Sequence, residues 1–173
     1  RDSCGMRPAA TIVPPDRFGM VEAGLYRSSY PLDEHFPFLR TLKLRTAMVL
    51  SQERLLRSVA TFFREESVRV VQIENGRFGG SERQPVTEDF LKAALELALD
   101  KTAYPLVIMS ASGTHEVGAV VGCLRRYQGW SLSAAFDEYQ SFAATALRPV
   151  IEQTIELFDL DLVHTNEDTA PAW

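Results

Sequence analysis

The sequence has few cysteines, no long hydrophobic run and no excess of basic residues. Its two cysteines, Cys4 and Cys123, are too few and too far apart for the disulfide framework of a small secreted domain. We therefore expect free thiols and a location in the cytoplasm or the nucleus. No apolar run reaches the about 20 residues that a membrane-spanning helix needs. The net charge is −5, from 18 basic and 23 acidic residues, which argues against non-specific binding to nucleic acid or to acidic membranes.

The composition is typical of one globular domain. The chain has 173 residues, of which 46% are hydrophobic and 24% are charged. We predict an irregular N-terminal lead-in over residues 1–12, a folded domain over residues 13–161, and a polar, frayed C-terminal tail over residues 162–173. Because the sequence begins at Arg1 rather than at Met, we expect it to be a piece of a longer chain.

The hydrophobic pattern alternates between strands and helices. It predicts a strand or hairpin edge at residues 20–28 and strands at residues 46–51, 68–73 and 106–110. It predicts helices at residues 33–42, 53–65, 88–98, 115–126, 131–144 and 148–159. The glycines of residues 75–84 predict a flexible loop. Strands that alternate with helices predict an α/β fold with a central, mainly parallel sheet.

One segment combines a buried strand, a short loop of small residues and a helix. The apolar run of residues 106–110 is followed by Ala111, Ser112, Gly113 and Thr114, and then by the predicted helix. Ligands on open α/β sheets bind beyond the carboxyl ends of the strands, and a helix N-terminus there favours an anion. Many such units hold no ligand, so the pattern alone leaves both an anion site and a purely structural turn open.

Several motifs occur in the order found in one enzyme family. They are VPPDRF (13–18), VEAGLYRS (21–28), FPFL (36–39), VGCLRR (121–126) and FDEYQSFA (136–143). Over residues 13–161 the chain resembles the plant and fungal atypical dual-specificity phosphatases, which are cysteine phosphatases that act on inositol pyrophosphates. The resemblance implies a protein tyrosine phosphatase-like fold of the dual-specificity type, with helices flanking the sheet.

The phosphate-binding loop of that family is altered in this chain. Ser110 stands at the position of the nucleophilic cysteine, and Glu116 stands at the position of the phosphate-binding arginine. Ser112 and Thr114 replace basic residues, whereas His115 is kept. The loop as a whole comprises Ser110, Ala111, Ser112, Gly113, Thr114, His115 and Glu116.

These replacements predict a loss of activity. A serine hydroxyl is far less acidic than the thiol of an activated cysteine, so it needs a neighbouring base to act as a nucleophile. At about 4 Å and an effective dielectric constant near 20, reversing one charge changes the interaction by roughly 8 kcal/mol, about the whole binding free energy of a micromolar ligand. We therefore predict a pseudophosphatase: a catalytically inactive scaffold or regulator that binds protein partners, among them related phosphatases.

This prediction includes no phosphate ligand, no cofactor and no metal. Two alternatives remain open at this point. One is a phosphatase of residual or altered activity, acting on inositol pyrophosphates or on phosphotyrosine and phosphoserine. The other is a protein that binds phosphate ligands without cleaving them.

The side chains around the loop allow more than one role. Glu116 either stabilises the first turn of its helix or folds back into the loop as a substitute for phosphate. His115 is expected at the surface or at the helix start rather than as a base for Ser110. Arg27 is expected to support the site by pairing with Asp137 or Glu138. Cys123 is expected to be buried and inert.

Overall fold

The computed structural model describes residues 12–76 and 86–173. Nearly all of the predicted N-terminal lead-in, with Cys4, lies outside the described residues. So do residues 77–84 of the predicted glycine-rich loop. Within the described ranges, no helix is both long and apolar enough to cross a membrane.

A five-stranded sheet forms the centre of the fold. Its strands are β1 (Gly19–Glu22), β2 (Leu25–Ser29), β3 (Thr46–Leu50), β4 (Arg69–Ile73) and β5 (Leu106–Ser110), in the order β1-β2-β5-β3-β4. The β1–β2 pair is antiparallel, and the other three pairs are parallel. The predicted strand at residues 20–28 is therefore a hairpin, and the prediction of a mainly parallel sheet is confirmed.

Six helices flank the sheet, as predicted. They are α1 (Phe36–Thr41), α2 (Arg57–Glu65), α3 (Glu88–Ala98), α4 (His115–Tyr127), α5 (Leu132–Ala143) and α6 (Pro149–Leu157). Successive side chains of β5 point to opposite faces, so Leu106 and Ile108 join the core with α3 to α6, whereas Val107 and Met109 join the core with α1 and α2. All four are fully buried, which makes β5 the central strand of both cores.

The helix that follows β5 packs closely on its neighbours. A Cβ atom at Gly118 would lie 2.5 Å from the Tyr139 ring of α5, and one at Gly122 would lie 2.4 Å from Ile155 of α6. Only glycine lets the two helices approach α4 this closely. The close approach places Tyr139 beside the start of α4, where the candidate site lies.

Two sequence-based predictions differ from the structure. The helix predicted from residue 53 begins at Arg57, because Gln72 of β4 donates hydrogen bonds to the backbone carbonyls of Ser51 and Glu53 and holds that segment as a turn. The tail is not frayed where it returns to the domain: the Thr169 carbonyl accepts a hydrogen bond from the Lys101 N–H at 2.9 Å. Both contacts join distant parts of the chain, which local periodicity does not report.

Candidate active site

Ser110 lies at the carboxyl end of the central strand, at the wall of a pocket of about 400 Å³. Its side chain is almost fully buried, and its Oγ accepts a hydrogen bond from the Gly113 N–H at 3.1 Å. The pocket is formed by the β3–α2 turn, the loop after β5 and the starts of α4 and α6. It is lined by Leu50, Ser51, Gln52, Glu53, Asn75, Phe90, Ser110, Ala111, Ser112, His115, Glu116 and Arg148.

The loop after β5 rests on the end of β2. Gly113 has a φ of +66°, and a Cβ atom there would lie 2.5 Å from the Ser29 backbone nitrogen. Within the loop, Thr114 donates from its N–H to Ser112 Oγ and from its hydroxyl to the Ser112 carbonyl. These contacts give the loop a fixed backbone between the central strand and α4.

Arg27 supports the loop, but through a different partner from the predicted one. Its Nη2 donates to the Gly113 carbonyl at 3.3 Å, and its guanidinium lies 3.7 Å from the centre of the Phe142 ring. Asp137 is exposed and makes no contact with it among the described residues. Glu138 pairs instead with Arg125 at 2.7 Å. Burial lowers the pKa of Arg27 to about 10, so the side chain remains a cation beneath the loop at neutral pH.

The prediction for Arg27 was wrong because sequence order cannot decide which of two arginines a carboxylate meets. Arg125 projects from α4 towards α5 and takes both oxygens of Glu138, at 2.7 and 3.1 Å. It also binds Glu22 at 2.7 Å, so this guanidinium occupies the nearby carboxylates.

His115 begins α4, as predicted, but it is buried rather than at the surface. Its Nδ1 lies 3.2 Å from the Tyr139 hydroxyl, which accepts a hydrogen bond from the Arg148 N–H at 3.2 Å. The hydroxyl proton can be donated to Nδ1, an arrangement in which the neutral imidazole carries its proton on Nε2. Burial, and next the charge of Arg148, lower the pKa of His115, so this neutral form is favoured.

Three charged side chains among the described residues line the pocket near Ser110: Glu53, Glu116 and Arg148. Glu116 lies in the first turn of α4, half-buried, where the helix dipole stabilises it. Its carboxylate accepts no hydrogen bond from residues 12–76 or 86–173, so it does not fill the loop as a substitute for phosphate. Arg148, just before α6, supplies a cation to the same pocket. Sequence analysis missed Arg148, because nothing in its local pattern sets it apart from other surface arginines.

The other candidate groups have structural surroundings. Cys123 is fully buried, as predicted, and burial raises the pKa of its thiol to about 12. In the part of the chain that the structure describes, no group of three or more His, Cys, Asp or Glu side chains could hold a metal ion.

Comparisons with known proteins agree on one family. The model of the tyrosine phosphatase family matches residues 12–173. The probable tyrosine-protein phosphatase DG1060 of Dictyostelium discoideum is 38% identical over 165 residues, covering 93% of this chain and 95% of the relative. Inositol diphosphatase DSP1 of Oryza sativa subsp. japonica is 38% identical over 153 residues, covering 86% and 67%.

A solved phosphatase structure is also similar to this chain in sequence and in fold. The core catalytic domain of the PP-IP phosphatase SIW14 from S. cerevisiae, in complex with citrate, is 34% identical to this chain. The match has a TM-score of 0.82 and covers 87% of this chain and 90% of that one. It includes the central sheet and flanking helices of a tyrosine phosphatase-like fold.

The comparisons correct the prediction of a catalytically inactive scaffold, because these relatives are named as phosphatases and a diphosphatase. That prediction rested on Ser110 at the position of the cysteine and on Glu116 at the position of the arginine. The structure places Arg148 in the same pocket as His115 and Glu116, and Arg148 was not assigned to it from the sequence. With its fold, its loop after β5 and its match over residues 12–173, the chain belongs to the tyrosine phosphatase family.

Proposed function

We propose that the protein is a phosphatase of residual or altered activity, which hydrolyses phosphoric anhydrides or esters in the pocket at Ser110. Inositol pyrophosphates are the proposed substrate class, because the relatives include a protein named as an inositol diphosphatase and one named as a PP-IP phosphatase. Phosphotyrosine and phosphoserine are the competing substrates. A phosphatase must bind phosphate, so this proposal replaces the expectation that no phosphate ligand binds.

One observation carries the proposal: a hydroxyl group lies where the central strand meets the start of α4, at the wall of a pocket of about 400 Å³. A helix N-terminus attracts phosphate through its free N–H groups and its dipole. A pocket of this size falls within the range of small-molecule sites. The buried charge of Arg27 under the loop adds to the positive potential.

The pocket residues can divide the reaction between them. Ser110 Oγ attacks the phosphorus atom, the bond from phosphorus to the leaving oxygen breaks, and the hydroxyl proton passes to a carboxylate. Glu116 and Glu53 line the pocket and are the bases proposed for this transfer. The carboxylic acid so formed gives this proton to the leaving oxygen. Water then attacks the phosphoserine and gives a proton to the same carboxylate, the bond from Ser110 Oγ to phosphorus breaks, and this proton returns to Oγ as inorganic phosphate leaves. The Nε2–H of His115 donates to an oxygen of the phosphoryl group.

The same residues make the proposed reaction slow. The hydroxyl of serine is a weaker acid than a thiol, so Ser110 depends on proton removal during the attack. The carboxylate of Glu116 repels the anionic substrate. We therefore expect a lower rate and a weaker affinity than in relatives that use a cysteine and a loop arginine.

The test is the release of inorganic phosphate from diphosphoinositol pentakisphosphate, from a phosphotyrosine peptide and from a phosphoserine peptide. The wild-type protein should release phosphate fastest from the inositol pyrophosphate, and Ser110→Ala should abolish release. Ser58→Ala, on the exposed side of α2, is the matched control and should keep the wild-type rate. Release that is absent from all three substrates, or equal in wild type and Ser110→Ala, would overturn the proposal.

Partners and location belong to the same proposal. We propose that the protein associates with related phosphatases in the cytoplasm or the nucleus. Affinity purification from the source cells, followed by mass spectrometry, tests this association. A purified sample that contains no phosphatase relative would refute it.

A further inference from the structure

More acidic than basic side chains line the pocket among the described residues. Of the described lining residues, Arg148 alone carries a permanent positive charge, whereas Glu53 and Glu116 are acidic. Among the described residues, a phosphate ligand in this pocket therefore meets two carboxylates and one guanidinium. The affinity for phosphate depends on whether that guanidinium is free to bind it.

The backbone of Arg148 is held firmly while its side chain is not. Its N–H donates to the Tyr139 hydroxyl at 3.2 Å, and the following Pro149 begins α6. The guanidinium is half-buried at the pocket and forms no hydrogen bond or ion pair with residues 12–76 or 86–173. Arg125, in contrast, is buried and held by the carboxylates of Glu22 and Glu138, and Arg27 is buried beneath the loop, where Nη2 donates to the Gly113 carbonyl while Nε and Nη1 have no hydrogen-bond partner among the described residues. Arg148 is thus anchored at its backbone and available at its side chain.

The charge of Arg148 acts within the pocket. It is the main charge that lowers the pKa of His115, whose ring lines the same pocket at the start of α4. The guanidinium of Arg148 is therefore close enough to influence the charge state of the imidazole. A guanidinium can donate two parallel hydrogen bonds to a phosphate group, which a lysine ammonium cannot.

We propose that Arg148 is the phosphate-binding cation of this pocket and takes the role that a loop arginine has in the cysteine phosphatases. This inference rests on the proposed function, because it concerns the same pocket and the same ligand class. It deepens that proposal by assigning the phosphate contact to the segment between α5 and α6 rather than to the loop after β5. Arg148 then offsets Glu116, and the pair of opposite charges sets the affinity for phosphorylated ligands.

The experiment measures binding rather than turnover, so it does not depend on catalysis. Calorimetric titration with inositol hexakisphosphate is performed on wild type, Arg148→Gln, Arg148→Lys and Arg57→Gln. Arg57, an exposed residue at the start of α2, is the matched control because its replacement changes the net charge by the same amount. Thermal melting of each variant checks the fold, which Arg148→Gln should leave unchanged because no described side-chain contact is lost.

We expect Arg148→Gln to weaken binding about tenfold or more, Arg148→Lys to lie between it and wild type, and Arg57→Gln to bind as wild type does. A second readout is the NMR titration of His115, whose pKa should rise in Arg148→Gln and stay unchanged in Arg57→Gln. Equal weakening in the two glutamine variants, an unchanged pKa of His115, or no binding by wild type would each overturn the inference. Binding that depends on Arg148 without any phosphate release would instead refute the proposed function and leave this inference standing.

Discussion

Replacing Gly113 by alanine tests how tightly the loop after β5 packs on the end of β2. Gly113 has a φ of +66°, a conformation that costs a residue with a Cβ atom about 1 kcal/mol. The new Cβ atom would also lie 2.5 Å from Ser29 N and 2.7 Å from the carbonyl carbon of Ser28. These are backbone atoms of β2 beside β5, so they cannot move without disturbing the sheet. Overpacking of this kind costs typically 1–3 kcal/mol.

We therefore expect Gly113→Ala to lower the free energy of unfolding by about 3 kcal/mol, a large part of the stability of a domain of this size. Gly129→Ala is the matched control: its φ is +80°, but apart from the glycine itself and its chain neighbours no atom of the described residues lies within 4 Å of the new Cβ. It should lose only the conformational cost of about 1 kcal/mol. Urea denaturation of both variants measures the difference. Equal losses would refute the packing of the loop on β2.

Two further predictions concern Glu116 and His115. Glu116→Gln removes a negative charge from the pocket, so KM for an inositol pyrophosphate should fall several-fold. Because the substitution also removes a proposed base, kcat should fall. Steady-state kinetics that leave KM unchanged would count against the role of this charge. For His115, the pKa in the folded state lies below the usual 6.5, so the unfolded chain takes up the proton first. Its contribution to stability is therefore present above pH 6.5 and declines as the pH falls below that value. Urea denaturation across this range should show a weaker pH dependence for His115→Gln than for wild type, and identical slopes would contradict the shift.

Local patterns predicted the parts of the site that are continuous in sequence. The apolar run ending at Ser110, the small residues after it and the helix from His115 form the strand, loop and helix that were expected, because each depends on near neighbours. The same reasoning located the carboxyl end of a central strand. The position of the pocket could therefore be predicted, and its lining from the α5–α6 segment could not.

The rest of the site depends on contacts between residues that are far apart in the sequence. Arg27 donates to the Gly113 carbonyl while Arg125 pairs with Glu138, and no motif reveals this choice of partners. Arg148 reaches the pocket only because α6 packs beside α4. The expectation of inactivity considered the missing cysteine and the charge of Glu116, and it did not include Arg148.

The most direct measurement of the central claim is peptide mapping by mass spectrometry of wild-type protein quenched during turnover of diphosphoinositol pentakisphosphate. The account predicts a phosphoryl group on the peptide that contains Ser110, present while phosphate is being released and gone once substrate is consumed. Phosphate release with Ser110 unmodified at every time point would contradict it.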